Sequence, residues 1–271
     1  MKRLLTTALT LAALALPALA QADPAPSIHY GFNECSRTST STPNLASESG
    51  DPVLSYVGRE LSTDFSGSSE EEGDCALALN IGGYEDWTRA DHTTRSYYQA
   101  ETTGEHANSL TLSADVDVNR IGDAWQWVAG DDICNETGEI SDGSCIGYAL
   151  YGAGPENGAP RAYVRLATLE GTELLGVVGS RALTDHGWHN LAMTYSGGTL
   201  KLYVDGRLDG SARSGLGEAP SVISGNSVLG VFNVGGQHIN GEPGEPFGGF
   251  IDNVRFYKQA LTAEEVGDIQ P

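Results

Sequence analysis

Residues Gly187–Ser211, GWHNLAMTYSGGTLKLYVDGRLDGS, constrain the fold more than any other stretch. Trp188, Asn190, Ala192 and Thr194 alternate with His189, Leu191, Met193 and Tyr195 in the period-two pattern of a strand. Ser196-Gly197-Gly198 reads as a hairpin turn, because tight hairpins need φ > 0 and glycine supplies it without a Cβ clash. Leu200, Leu202 and Val204 then alternate with Lys201, Tyr203 and Asp205, so one face goes to a core and the other towards water. Asp205-Gly206 is a second hairpin signal, followed by Arg207–Ser211. The stretch is a β-meander, with Trp188 expected to be buried in it.

The rest of the chain follows the same idiom. Thirty-five glycines, repeated turn pairs and a shortage of helical periodicity mark an all-β protein, and no repeat of a solenoid or propeller period is visible. Further strands are expected at Val53–Val57, Ala76–Asn80, Leu110–Val118, Ala124–Gly130, Ile146–Tyr151, Arg161–Thr168, Glu173–Val178, Val228–Val231 and Gly249–Tyr257. Thr262 with Glu265 three residues on is a capping box that opens a short helix over Ala263–Ile269.

Two motifs carry a family resemblance. WHNLAMTYSGGTLKLYVDGR, and then FIDNVRFY at Phe250–Tyr257 followed by ALTAEEV at Ala260–Val266, resemble the central and terminal signatures of laminin-G-like, concanavalin A-like jelly-roll domains. The likeness is strongest from Leu110 to Ile269 and weaker from Ser27 to Ser109. It implies a two-sheet antiparallel jelly-roll sandwich with the short helix at its C-terminal end. It also implies a structural calcium ion held by Asp252, with backbone carbonyls near His29 and Gly82. The residues themselves say only that Asp252, inside the apolar run Phe250-Ile251-Asp252-Asn253-Val254, needs a partner. That partner is calcium, Arg255 or a lysine, unless the carboxylate faces water.

Met1-Lys2-Arg3, the apolar run Leu4–Ala20 and the small residues after it have the pattern of a secretory signal peptide over residues 1–22, with cleavage after Ala20 or Ala22. The remainder, 23–271, suits a single β-sandwich domain in a secreted or periplasmic protein. Without Lys2 and Arg3 the chain has 13 basic and 36 acidic residues, a formal charge of −23. That excludes nucleic acid and anionic membrane surfaces as partners, since both are bound through basic patches. No later run approaches the length of a membrane span.

Four cysteines, Cys35, Cys75, Cys134 and Cys145, allow three pairings. Export makes disulfides the default, and no C-x-x-C pair or clustered histidine points to zinc instead. Cys134 and Cys145 bracket an acidic, glycine-containing loop and suit a local bridge, which leaves Cys35 for Cys75.

Candidate chemistry is sparse. Trp87, Tyr97 and Tyr98 lie in a polar, irregular stretch, Tyr84–Asn108, where loop aromatics can stack on sugar rings. His238 is a candidate ligand contact in a loop. Asp115-Val116-Asp117 has the spacing of paired acids on one strand face, but the apolar alternate positions put these acids towards solvent. Glu70-Glu71-Glu72 with Asp74 reads as a solvated loop, and His189, beside Trp188, as a structural histidine. No glycosidase, G-x-S-x-G, H-E-x-x-H or P-loop signature occurs. The composite expectation is a non-catalytic recognition module for a carbohydrate or glycoprotein, with calcium as its candidate cofactor. A polysaccharide lyase or glycoside hydrolase with a degenerate signature is the alternative, and an adhesion protein that meets a protein partner is another.

Overall fold

The computed structural model describes residues 24–36, 38–48, 53–57, 63, 65–79, 97–102, 108–119, 125–132, 146–155, 157–169, 171–216, 220–222, 230–239, 242–244 and 247–269. The segment 1–22 expected to be a signal peptide, Gly82, Trp87, Cys134 and Cys145 lie outside them.

In chain order the strands begin with β1 (Ile28–Tyr30), β2 (Ser41–Thr42), β3 (Leu54–Val57), β4 (Leu77–Leu79), β5 (Tyr97–Thr102) and β6 (Ser109–Val118). They continue with β7 (Trp127–Asp132), β8 (Ile146–Tyr151), β9 (Arg161–Thr168), β10 (Gly171–Val178), β11 (Trp188–Ser196) and β12 (Thr199–Val204). The last are β13 (Arg207–Arg213), β14 (Ser221–Val222), β15 (Gly230–Val234), β16 (Gln237–Ile239), β17 (Glu242–Gly244) and β18 (Gly249–Tyr257), with helix α1 (Ala263–Asp268) after them.

These strands form two main sheets, antiparallel throughout. A seven-stranded sheet runs β1-β18-β6-β11-β12-β13, with β4 also on β18. A nine-stranded sheet runs β10-β9-β8-β7-β15-β5-β3-β2, with β14 on β9. β16 and β17 make a separate hairpin. The first sheet thus joins both ends of the chain, and β6 stands between the C-terminal strand and the meander.

The meander has the expected register. Its two-residue turns have φ of 54° and 79° at Gly197-Gly198, and of 49° and 68° at Asp205-Gly206. Positive φ at both central residues gives the right-handed twist that lets the flanking strands stay paired. Leu191, Met193 and Tyr195 of β11 and Leu200, Leu202 and Val204 of β12 face the core. There they meet Leu112, Ala114 and Val116 of β6, and Val164 and Leu166 of β9 from the opposite sheet. Tyr148 stacks on Phe256 across the interior, with centroids 5.3 Å apart.

Three expectations are corrected by these placements. Trp188 is only half-buried, on the outward face of its sheet, because the odd-numbered residues of β11 take the core. Tyr97 and Tyr98 belong to β5 rather than to a loop; pairing with β15 and β3 overrides the polar surroundings in sequence. His238 sits in β16, opposite Pro243 of β17, rather than in an irregular loop.

The outward face of the seven-stranded sheet is covered as well. Tyr257, Leu261 and Val266 pack there on Ala192 and Tyr203, so α1 closes that face. The Thr262 hydroxyl accepts from the Glu265 amide at 3.2 Å, and the Glu265 carboxylate accepts from the Thr262 amide at 2.6 Å, which starts the helix as anticipated.

Cys35 and Cys75 are bridged, with Cα atoms 5.5 Å apart. The bridge spans 40 residues and anchors the 65–75 loop beside β1. Closing a loop of that size stabilises by about 4 kcal/mol in the chain-entropy model. Replacing both cysteines by alanine is therefore expected to lower the unfolding free energy by about 3–4 kcal/mol in a denaturant titration. Peptide mapping of non-reduced protein should recover Cys35–Cys75 as one linked pair, with Cys134–Cys145 as the other.

Candidate functional site

Two outward-facing arrangements have the makings of a site. The first lies on the nine-stranded sheet. Trp125 and Trp127 project from one side of the chain entering β7, and Tyr151 and Tyr163 extend the group across β8 and β9. Trp127 is fully buried, and its indole N–H donates to the Asn233 carbonyl at 3.1 Å. Tyr151 meets Trp127, Trp125 and Tyr163 edge-on, at centroid distances of 5.4, 6.5 and 5.8 Å. Edge-to-face contact suits the ring quadrupoles and holds each ring at a set angle.

Trp125 and Tyr163 are the partly exposed members. Two glycines leave room for them: a Cβ on Gly154 would lie 2.1 Å from the Trp125 ring, and one on Gly176 would lie 2.4 Å from the Tyr163 ring. The Arg161 guanidinium lies 3.2 Å above the Trp125 ring and donates to the Tyr163 hydroxyl at 3.0 Å. Its Nε makes no hydrogen bond among the described residues. A cluster of braced aromatic rings capped by a planar donor fork is chemically suited to a sugar, with apolar C–H groups against the rings and hydroxyls on the guanidinium.

The second arrangement lies on the outward face of the seven-stranded sheet. Asp115 on β6 pairs directly with Asp252 on β18 and with Asn190 on β11. Both carboxylates are fully buried. Asp115 was expected to face water; it does not, because the 65–75 loop and the C-terminal segment lie over this face. Ser68 joins the two acids. Its hydroxyl is 2.9 Å from Asp115 Oδ2 and 3.0 Å from Asp252 Oδ2, and its amide donates to Asp252 Oδ2 at 2.9 Å. Asn190 Nδ2 donates to Asp115 Oδ1 at 2.7 Å, and the Asn253 amide to Asp252 Oδ1 at 2.6 Å. Asn253 occupies a bulge in β18 at φ 47°, and its side-chain amide reaches the Ser68 hydroxyl at 3.0 Å. His29 Nε2 lies 3.0 Å from Asn253 Oδ1.

One hydroxyl has one proton. Ser68 accepts from Asn253, so it can donate to only one of the two carboxylates. With both acids ionised, the other contact would set lone pair against lone pair. A single proton on the pair, or an added cation, removes the conflict. Burial pushes the Asp252 carboxyl up to about 7, against the opposing Ser68 amide, and raises Asp115 as well. Asp252 therefore partners neither Arg255 nor water; it accepts from Ser68 and Asn253. The Asp115–Asp117 pair cannot flank a substrate, because Asp115 is shut in.

His189 is structural, as expected. Its ring is buried between Asp185, 2.7 Å from Nε2, and Asp205, 3.1 Å from Nδ1. Arg181 pairs with the same Asp205. The backbones of Tyr97 and Tyr98 lie in β5 of the nine-stranded sheet, and that of His238 in the small β16–β17 hairpin. Sequence reasoning missed Trp125, Tyr163 and Arg161. The alternation W-x-W at residues 125 and 127 and R-x-Y at 161 and 163 was the available signal, but which face was open was not.

The acid pair generates a pH prediction. An unfolded Asp titrates near 3.8 and the folded Asp252 at about 7, so between those values the native state holds a proton that the unfolded chain has released. Stability due to this group is greatest at low pH and is lost as pH rises through about 7. In chelator, the melting temperature should rise as pH is lowered from 7.5 to 5. Asp115→Asn keeps the bond from Asn190 and turns the other atom into a donor to Ser68. It is expected to stabilise the protein by about 1–3 kcal/mol at pH 7.5 and to flatten the pH dependence. A drop in stability at pH 7.5 would show that both acids are ionised and compensated.

The concanavalin A-like lectin/glucanases superfamily model, of laminin-G type, matches residues 91–267, and the chain belongs to that family. Among solved structures, domain 4 of AbnA, an extracellular arabinanase from Geobacillus stearothermophilus solved with arabinotriose, is 17% identical with a TM-score of 0.52. That match covers 92% of this chain and 100% of that one. The ligand-binding domain of botulinum neurotoxin serotype D, solved with N-acetylneuraminic acid, is 11% identical with a TM-score of 0.54, over 90% of this chain and 50% of that one. A Trypanosoma rangeli sialidase is 14% identical with a TM-score of 0.52, over 90% and 32%. These identities establish a shared fold. None of the curated proteins matches the sequence.

Proposed function

We propose that this member of the laminin-G-like family is a secreted, non-catalytic module that binds carbohydrate, free or on a glycoprotein, through the outward face of its nine-stranded sheet. The observation that carries the reading is the partly exposed pair Trp125 and Tyr163, bridged by Arg161. Similar folds solved with arabinotriose and with N-acetylneuraminic acid support the ligand class. The Cys35–Cys75 bridge suits an oxidising compartment, and no described helix is long and apolar enough to cross a membrane. Binding here needs no acid pair at the platform; the edge-braced rings supply contact area and Arg161 supplies orientation.

A glycan array run with the full chain tests the proposal. Trp125→Ala is expected to weaken binding to any captured glycan by about tenfold or more, the scale of one lost stacking contact. Unchanged glycan binding in Trp125→Ala, or no glycan captured at all, would overturn the reading. Release of shortened or unsaturated oligosaccharide during the assay would favour the enzyme instead.

Calcium belongs to the same proposal as a structural aid. Asp252 and Asp115, with the Ser68 hydroxyl between them, offer oxygens of the hard kind a dication prefers, and the side-chain nitrogens of Asn190 and Asn253 that now donate to this group would have to turn their oxygens to it. Two buried acids with one proton between them also carry uncompensated negative charge, so the donor set fits the ion. Of the residues suggested by family resemblance, Asp252 is central. The His29 carbonyl accepts from the Leu45 amide at 2.8 Å and keeps a second lone pair. If calcium binds, millimolar calcium at pH 7.5 raises the melting temperature by mass action and chelator reverses it. In Asp252→Asn the increment is expected to vanish. An equal melting point of the wild type in calcium and in chelator would end the metal proposal.

A further inference from the structure

The outward face of the seven-stranded sheet carries a third group, at the end away from α1. Asp117, near the end of β6, pairs with Trp188 on β11 and with Phe250 on β18. Side chains at directly paired positions project from the same face. Strands two apart are separated by roughly 9–10 Å. Yet the Trp188 and Phe250 ring centroids are 6.4 Å apart, with planes tilted by 47°. The two rings therefore lean towards each other across β6, over Asp117. Phe65 lengthens the wall, its ring 5.1 Å from that of Phe250. All three rings and Asp117 are part-buried, so the group opens to solvent.

Inside it, Asp117 Oδ1 is shut away from water and receives no hydrogen bond among the described residues. Burial pushes this carboxyl up, while the nearby His186 and His189 pull it down. A desolvated carboxylate oxygen with no donor is costly, so its surroundings favour a partner from outside. That partner meets two demands at once. It must bring positive charge close to the carboxylate, whose Oδ1 is itself covered, and it must offer an apolar body to ring faces that themselves attract cations. A hydrated metal ion meets only the first demand, and a neutral apolar molecule only the second. An organic ammonium meets both. The net charge of −21 further concentrates cations at the surface.

We propose that Trp188, Phe250, Phe65 and Asp117 form a binding site for a small organic cation of the quaternary ammonium class. The site is on the sheet opposite the Trp125 platform, and it stands whether or not that platform binds sugar.

Calorimetric titration of the full chain in chelator tests it, with choline as probe and 3,3-dimethylbutan-1-ol as its neutral isostere. Choline is expected to bind the wild type at least about tenfold more tightly than the isostere. Asp117→Asn is nearly isosteric and removes a buried charge, so it leaves the fold intact; it should weaken choline by about tenfold. Trp188→Leu should do the same while leaving the isostere unaffected. Any glycan captured by the wild type should bind Asp117→Asn unchanged, which separates this site from the carbohydrate platform. Equal affinity for choline and isostere, no choline binding, or choline binding undiminished in Asp117→Asn would overturn the proposal.

Discussion

Two buried carboxylates sharing one serine hydroxyl are the interaction on which the outward half of this structure depends. Asp115 and Asp252 stand side by side on adjacent strands, and Ser68 contacts both. Left in water, the pair would be an ordinary acidic patch. Sealed off, it needs a donor for nearly every lone pair, and each donor comes from a different part of the chain. Ser68 comes from the loop bridged by Cys35–Cys75, Asn253 from a bulge in the last strand and Asn190 from the meander. The Ile269 carbonyl, just past the helix, lies 3.4 Å from both Asn190 Nδ2 and an Arg255 nitrogen. The cover over this face is thus assembled from both ends of the molecule, and the disulfide and the capped helix hold it closed.

The two outward faces have been put to different uses. On the seven-stranded sheet, polar groups are buried mostly against one another, which rigidifies but leaves little for a ligand except at the Trp188 end. On the nine-stranded sheet, aromatic rings meet edge-on and press against glycines, with Arg161 stacked on Trp125. Rings braced edge-on lose little freedom when something stacks on them, which makes such a surface inexpensive to bind. Asp205 and Arg181 beside His189 complete a separate network at the meander's second turn, where the carboxylate also accepts from the Asn190 amide at 3.1 Å.

Much of the framework was legible because its causes are local. The turns at Gly197-Gly198 and Asp205-Gly206 follow from which residues tolerate φ > 0, and the strand limits Ile146–Tyr151, Arg161–Thr168 and Gly249–Tyr257 follow from alternation between turn signals. The Thr262–Glu265 box acts within one helical turn. Each depends on residues a few positions apart, so each can be read along the chain. The Cys35–Cys75 pairing was inferred from the even count and from the short loop between the other two cysteines, and the structure contains it.

What tertiary structure alone decided is which face of each strand is open. Alternation says that Asp115 points away from the core, but not whether anything lies above it. Asp115 is sealed by Ser68, 47 residues away, and Asp252 by the same serine across 184 residues. Trp188, expected inside, stands half-open beside Phe250. Tyr97 and Tyr98, expected in a loop, are held by strands β3 and β15 from distant parts of the sequence. The sequence by itself determined an all-β chain with its meander, its last strand and its capped helix, since local backbone preference and period-two burial suffice for those, and its resemblance to the family implied the sandwich. The acid pair, the aromatic platform and the Asp117 hollow were decided only on folding, because solvent exclusion depends on what a remote segment covers.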